Sequence, residues 1–157
     1  MAVMVTHASD ATEDLAAMSG AAVLGSLTIP GRPEQVCQAR AFVAAKLGDL
    51  GPVAETAVLL TSELVTNAIR HSNSASAGGT VTLDILEAGD DVRIEVTDDG
   101  SDASSPVVKG DAFASDGHGL FLVEMLARQW GYLRDEGCTR VWFRLGLPSP
   151  RRAATVR

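Results

Sequence analysis

Aromatic residues are scarce in this chain: two Trp, one Tyr and four Phe, 4% of 157 residues. A core of ordinary size must then come mainly from Val, Leu, Ile and Ala. Cysteine is scarcer still, and Cys37 and Cys138 stand far apart with no metal-ligand spacing. Two free thiols in a reducing compartment are the expectation. Cations are also short, 13 Lys and Arg against 20 Asp and Glu, for a net charge of −7. That balance gives no electrostatic footprint for direct nucleic-acid binding or for an anionic membrane. A polyanionic ligand would need backbone amides or a metal ion to receive it. No stretch reaches the apolar length of a membrane span. The first residues carry no Lys or Arg, and Asp10, Glu13 and Asp14 interrupt any apolar run. Neither a signal nor a transit peptide is expected, and the expected location is cytoplasmic.

What is present is enough for one ordinary globular domain. Hydrophobic residues make up 46% of the chain and charges are scattered, a composition that folds without staples. Residues 1–20 have weak periodicity and read as a mobile tail, with a short helical turn expected near Glu13 to Met18. Ala22 to Ile29 reads as an edge strand. Pro30-Gly31-Arg32-Pro33 stops it and opens a helix to Leu47, with Pro33 in its first turn. A break at Gly48 to Pro52 precedes a long helix, and the polar, glycine-rich stretch 72–79 is a loop. Thr80 to Leu86 alternates as a half-buried strand, residues 87–91 are a turn, and Val92 to Val96 returns. The segment 101–116 is a long loop. Gly119 to Trp130 has apolar residues at helical spacing. Tyr132 to Arg134 and Cys138 to Leu147 are the last strands, and residues 149–157 are a second tail. The domain therefore spans 21–148 and has no internal repeat. Its fold class is α+β: a two-layer α/β sandwich with a mixed, mostly antiparallel sheet covered on one face by helices.

The chain is organised around the second half of the long helix, Leu59 to His71. Ala57, Val58, Leu64, Val65, Ala68 and Ile69 fall on one apolar arc. Glu63, Asn67 and His71 stand four apart and share a stripe beside that arc, with Arg70 close by. Glu and Asn on a helix flank are commonly no more than solvated. The same pair, one turn apart at the margin of a buried face, also suits holding a metal ion or aligning a nucleophile. Asp98 at a strand end, followed by Gly100, is ordinary turn chemistry. It is also what a carboxylate reading an exocyclic amine would need, with a glycine that lets a planar base approach. Gly117-x-Gly119 before an apolar helix is a phosphate cradle in principle.

Taken in order, Glu63-x-x-x-Asn67, Asp98-x-Gly100 and Gly117-His118-Gly119-Leu120 resemble the N, G1 and G2 boxes of the GHKL ATPases. The short length and the run Asn67-Ala68-Ile69-Arg70-His71-Ser72 are most similar to the anti-sigma-factor serine/threonine kinase branch of bacteria. The resemblance covers about residues 22–147. It implies ATP and Mg²⁺ as cofactors, with Asn67 holding the metal and Glu63 as general base. It implies Asp98 as the adenine-reading carboxylate, supported by Thr139, and Gly100 as the glycine under the base. Gly117, His118, Gly119 and Leu120 would form the phosphate loop, and 101–116 would be the lid. Beside these, Arg70 could contact phosphate or form a surface pair, and His71 could stabilise the phosphate end or, more simply, cap the helix. Asp102 replaces a glycine common in relatives, and His118 stands where Arg or Lys is frequent. The lid carries Asp102, Asp111 and Asp116 against Lys109.

The function implied is Mg·ATP-dependent phosphorylation of a small antagonist (anti-anti-sigma) protein, coupled to control of a sigma factor. The alternative is a nucleotide-dependent binding module that regulates a partner without phosphoryl transfer. Relatives are often dimers, so a homodimer is a further expectation. No membrane and no direct nucleic-acid partner is expected.

Overall fold

The computed structural model describes residues 3–6, 21–71, 78–99, 118–135 and 137–148. Six strands form one sheet, β1 (Val3–Thr6), β2 (Ala22–Pro30), β3 (Thr80–Ala88), β4 (Asp91–Asp98), β5 (Gln129–Asp135) and β6 (Cys138–Gly146), in the order β1-β5-β6-β4-β3-β2. Every pairing among these strands is antiparallel, so the expected mixed sheet has no parallel member here. Three α-helices, α1 (Val36–Leu47), α2 (Pro52–His71) and α3 (His118–Leu126), and two 3-10 turns, Pro33–Gln35 and Gly48–Leu50, complete the described structure. The α+β two-layer architecture stands.

Local chemistry explains the elements. A 3-10 turn at Pro33–Gln35, opened by a proline, leads into α1. Gly51 at φ +57 reverses the chain, Pro52 begins α2, and Glu55 lies in its first turn, where a carboxylate complements the helix dipole. The β3–β4 hairpin closes on Gly89 and Asp90 alone, with Gly89 at φ +59, the conformation that tight hairpin turns demand. Both strands are therefore longer than alternation alone indicated. Gly25 sits at a register shift in β2, where an added Cβ would come within 2.9 Å of the Phe42 ring and the Lys46 stem. The missing side chain lets α1 lie close on this edge.

The helices share one face of the sheet. Val92, Ile94 and Val96 of β4, Val141, Phe143 and Leu145 of β6, and Val81, Leu83 and Ile85 of β3 are buried there. Ala57, Leu60, Leu64, Val65, Ala68 and Ile69 of α2 meet them. The central arc matches expectation except that Leu60 belongs to it and Val58 is only partly buried. Trp130, Tyr132 and Phe143 place three of the few aromatic side chains together at the β5–β6 end of this core.

Two expectations are corrected. Val3–Thr6 lies within the stretch read as a tail, yet it pairs with Gly131–Arg134 as an edge strand. The helical turn expected near Glu13 to Met18 lies outside the described residues. The second correction concerns Trp130, expected in a helix and found in β5 opposite Phe143. Helix α3 ends at Leu126, and burial of the indole against β6 decides the matter.

The opposite face of the sheet carries the polar residues of β4 and β6. Arg93 is buried there, its guanidinium 4.1 Å from the Trp142 ring centroid and its Nε donating to Glu95 Oε2 at 2.7 Å. Asp91 accepts from Arg128 Nη1 at 2.7 Å and pairs with Arg144 at 2.8 Å. No helix of the described residues is long and apolar enough to cross a membrane.

Candidate functional site

The site is built from the end of β4, the neighbouring start of β6 and one edge of α2. Alternation along β4 turns Asp98 to the same face as Val92, Ile94 and Val96, the face covered by helices. Its carboxylate is withdrawn from water, at 8% relative exposure. Strand β6 pairs in a register that sets Thr139 directly opposite Asp98, and Thr139 is buried to a similar degree, at 5%. Opposed residues of an antiparallel pair on one face lie within side-chain reach of each other. The structure thus brings together the two residues expected at the purine edge. A carboxyl buried to this extent must be satisfied by donors.

Helix α2 contacts β3, β4 and β6. Ala68 and Ile69, near its carboxyl end, are buried in the shared core. Glu63 and Asn67 are half-buried at the margin of that packed face, and Arg70 is exposed. His71 is the last residue of the helix. Thr66, on the same polar edge, donates its hydroxyl to the Ser62 carbonyl at 2.7 Å. Asn67 and Asp98 therefore belong to the same side of the sheet, one on the covering helix and the other beneath it.

The phosphate-loop residues are divided. His118, Gly119 and Leu120 form the first turn of α3, so they offer helical amides as expected. Gly100 and Gly117, and the segment 101–116 expected as the lid, lie outside the described residues.

Sequence reasoning missed Asp99. Its Oδ2 accepts from the Thr80 backbone N–H at 2.9 Å. Adjacent aspartates thus divide the work: Asp98 turns inward, while Asp99 ties the end of β4 to the start of β3. Two consecutive acids at a strand end, one on each face, were the available signal.

Among the described residues no three His, Cys, Asp or Glu side chains gather as a metal cluster. The Asn67 carboxamide would offer one hard oxygen donor of the kind Mg²⁺ takes, an ion that otherwise keeps waters and phosphate oxygens. The donor set fits the group that the motifs imply.

Comparison with known proteins adds to this geometry. Residues 29–145 match the histidine kinase-like ATPase domain, more than half of the chain. The chain belongs to that family. The matched span starts at the end of β2 and stops at the end of β6, so it includes every candidate site residue. The chain is also similar to the serine-protein kinase RsbW of Listeria monocytogenes serovar 1/2a. The two are 26% identical over 130 residues, which cover 74% of this chain and 83% of the relative.

Proposed function

We propose that this chain binds Mg·ATP and transfers the γ-phosphoryl group to a serine or threonine hydroxyl of a small antagonist protein, and thereby controls a sigma factor. The observation that carries the reading is the buried Asp98–Thr139 pair on the helix-covered face, with Glu63 and Asn67 at the edge of the helix packed on that face. The family membership and the serine-protein kinase among its relatives support it.

In this reading the Asp98 carboxylate accepts from the adenine amine, and Thr139 holds the carboxylate in place. Asn67 supplies its amide oxygen to Mg²⁺, which neutralises phosphate charge. Glu63, one turn earlier on α2, takes the proton from the attacking hydroxyl while that oxygen bonds to the γ-phosphorus and ADP departs. The amides of the first turn of α3 receive phosphate oxygens. Arg70 and His71, the last two residues of α2, are the further candidates for the phosphate end in this reading. Location in the cytoplasm and assembly as a homodimer remain part of the proposal.

A non-catalytic, nucleotide-dependent binding module is the second reading. It is favoured by His118 where a fixed cation is frequent and by the acidic residues Asp102, Asp111 and Asp116. Capturing a partner in the presence of Mg·ATP and mapping phosphate on its peptides separates the two. Phosphate on a serine or threonine of the captured protein supports transfer; stable capture with no phosphate, at enzyme levels that consume no ATP, supports the second reading.

A further inference from the structure

Asp98 is the last residue of β4, and its pairings with Val81 on β3 and Thr139 on β6 are the terminal rungs of both ladders. Terminal rungs open first, because no pairing beyond them resists fraying. A base-reading carboxylate placed there needs a hold on its far side. Continued by one residue, the β3–β4 register would set Thr80 opposite Asp99. Strand β4 has ended by then, yet the Thr80 backbone N–H donates to Asp99 Oδ2 at 2.9 Å. The side chain makes the bond that the main chain of a longer strand would make, and a carboxylate makes it charge-assisted. Thr80 is a firm anchor for it. The residue pairs with Pro30 of β2, the next one, Val81, is fully buried, and Gly31 N donates to Gly79 O at 3.1 Å just before it.

We propose that Asp99 is a positioning residue for base recognition: its bond to the Thr80 N–H closes the rung beyond Asp98 and so keeps that carboxylate aimed at the exocyclic amine of a bound purine. The inference rests on the nucleotide reading given above. Neighbouring Cα atoms are about 3.8 Å apart, so opening the outer rung passes directly to Asp98. A displacement of about 1 Å is enough to spoil a hydrogen bond to a ligand of fixed shape. Asp99 touches no part of the ligand in this account. The phosphate end is assigned to α2 and α3, which lie outside the rung.

Calorimetry of the full chain with Mg·ATP and with Mg·ITP, whose base carries a carbonyl oxygen where adenine carries the amine, tests this. Asp99→Ala removes the acceptor, and Asp99→Asn keeps an accepting oxygen. Thr80→Pro removes the donor at the first residue of a strand, where proline is tolerated. Asp99 has further contacts, and Thr80→Pro leaves its side chain in place to make them. Asp99→Ala and Thr80→Pro are each expected to weaken Mg·ATP about tenfold and leave Mg·ITP within about twofold. Asp99→Asn is expected to stay within about twofold of the unaltered chain for both. If Thr80→Pro prevents folding, the two Asp99 variants carry the test. Equal losses for the two nucleotides, unchanged ATP affinity in Asp99→Ala, or no rescue by Asp99→Asn overturns the inference while the nucleotide reading stands. So does a loss in Asp99→Ala that a folded Thr80→Pro protein does not share. No Mg·ATP binding by the unaltered chain overturns both.

Discussion

Replacing Thr61 by valine is expected to stabilise the domain. Thr61 lies on the core-facing side of α2 at 0% exposure, among Ala57, Leu60, Leu64 and Val65. Its Oγ1 is buried and has no hydrogen-bond partner among the described residues. Thr66, one helical turn and a residue later, behaves differently and donates to the carbonyl four residues before it. Leaving a hydroxyl dry and unbonded costs about 1–3 kcal/mol. Valine has the same branched shape and nearly the same helix propensity, so the change removes that cost and opens no cavity. Discounting for repacking, the gain is about 1 kcal/mol, or about 2–4 °C in Tm for a domain of this size. Thr61→Ser, which keeps the hydroxyl and deletes the methyl, should lose about 1 kcal/mol. The assay is urea unfolding of the three proteins at equal m-value. A less stable Thr61→Val protein would refute the reasoning, because it would mean that the hydroxyl holds a bond.

Arg93→Ala is expected to cost about 2 kcal/mol, since it removes the near partner of the half-buried Glu95, leaving Arg140 at 3.8 Å, and uncovers the Trp142 ring; Arg128→Ala, whose arginine is exposed, should cost less than about 1 kcal/mol in the same denaturant series. Glu63→Ala should leave Mg·ATP affinity within about threefold and abolish phosphorylation of the captured partner, because a general base acts on the attacking hydroxyl and not on nucleotide binding; undiminished transfer would remove Glu63 from that role.

Much of this architecture was legible in the residues. Pro52 to His71 contains no internal Gly or Pro and carries one apolar arc, so the helix and its buried side followed from local rules. Alternation in β4 and β6 predicted which residues face the helices, and it also set Asp98 on that face. Trp130 was misread for a physical reason. Val123, Leu126, Ala127 and Trp130 keep helical spacing, so periodicity alone extends α3 through them. The strand wins because Trp130 gains a partner in Phe143 and a buried position, both long-range facts. Strand β1 was invisible for a similar reason: four residues carry too little pattern, and their conformation depends on the free edge of β5. The burial of Arg93 was hidden by alternation itself, which reads an arginine on an outward face as solvated. Its stacking on Trp142 is a cross-strand event that no local window contains.

The central claim is that Asp98 reads the base of a purine nucleotide whose metal is held from α2. Calorimetry of Mg·ATP against the unaltered chain and Asp98→Asn tests it most directly. The account predicts clear binding to the first and a loss of at least about tenfold in the second, since a charge-assisted bond in a buried site is removed. Equal affinities in the two proteins would contradict it.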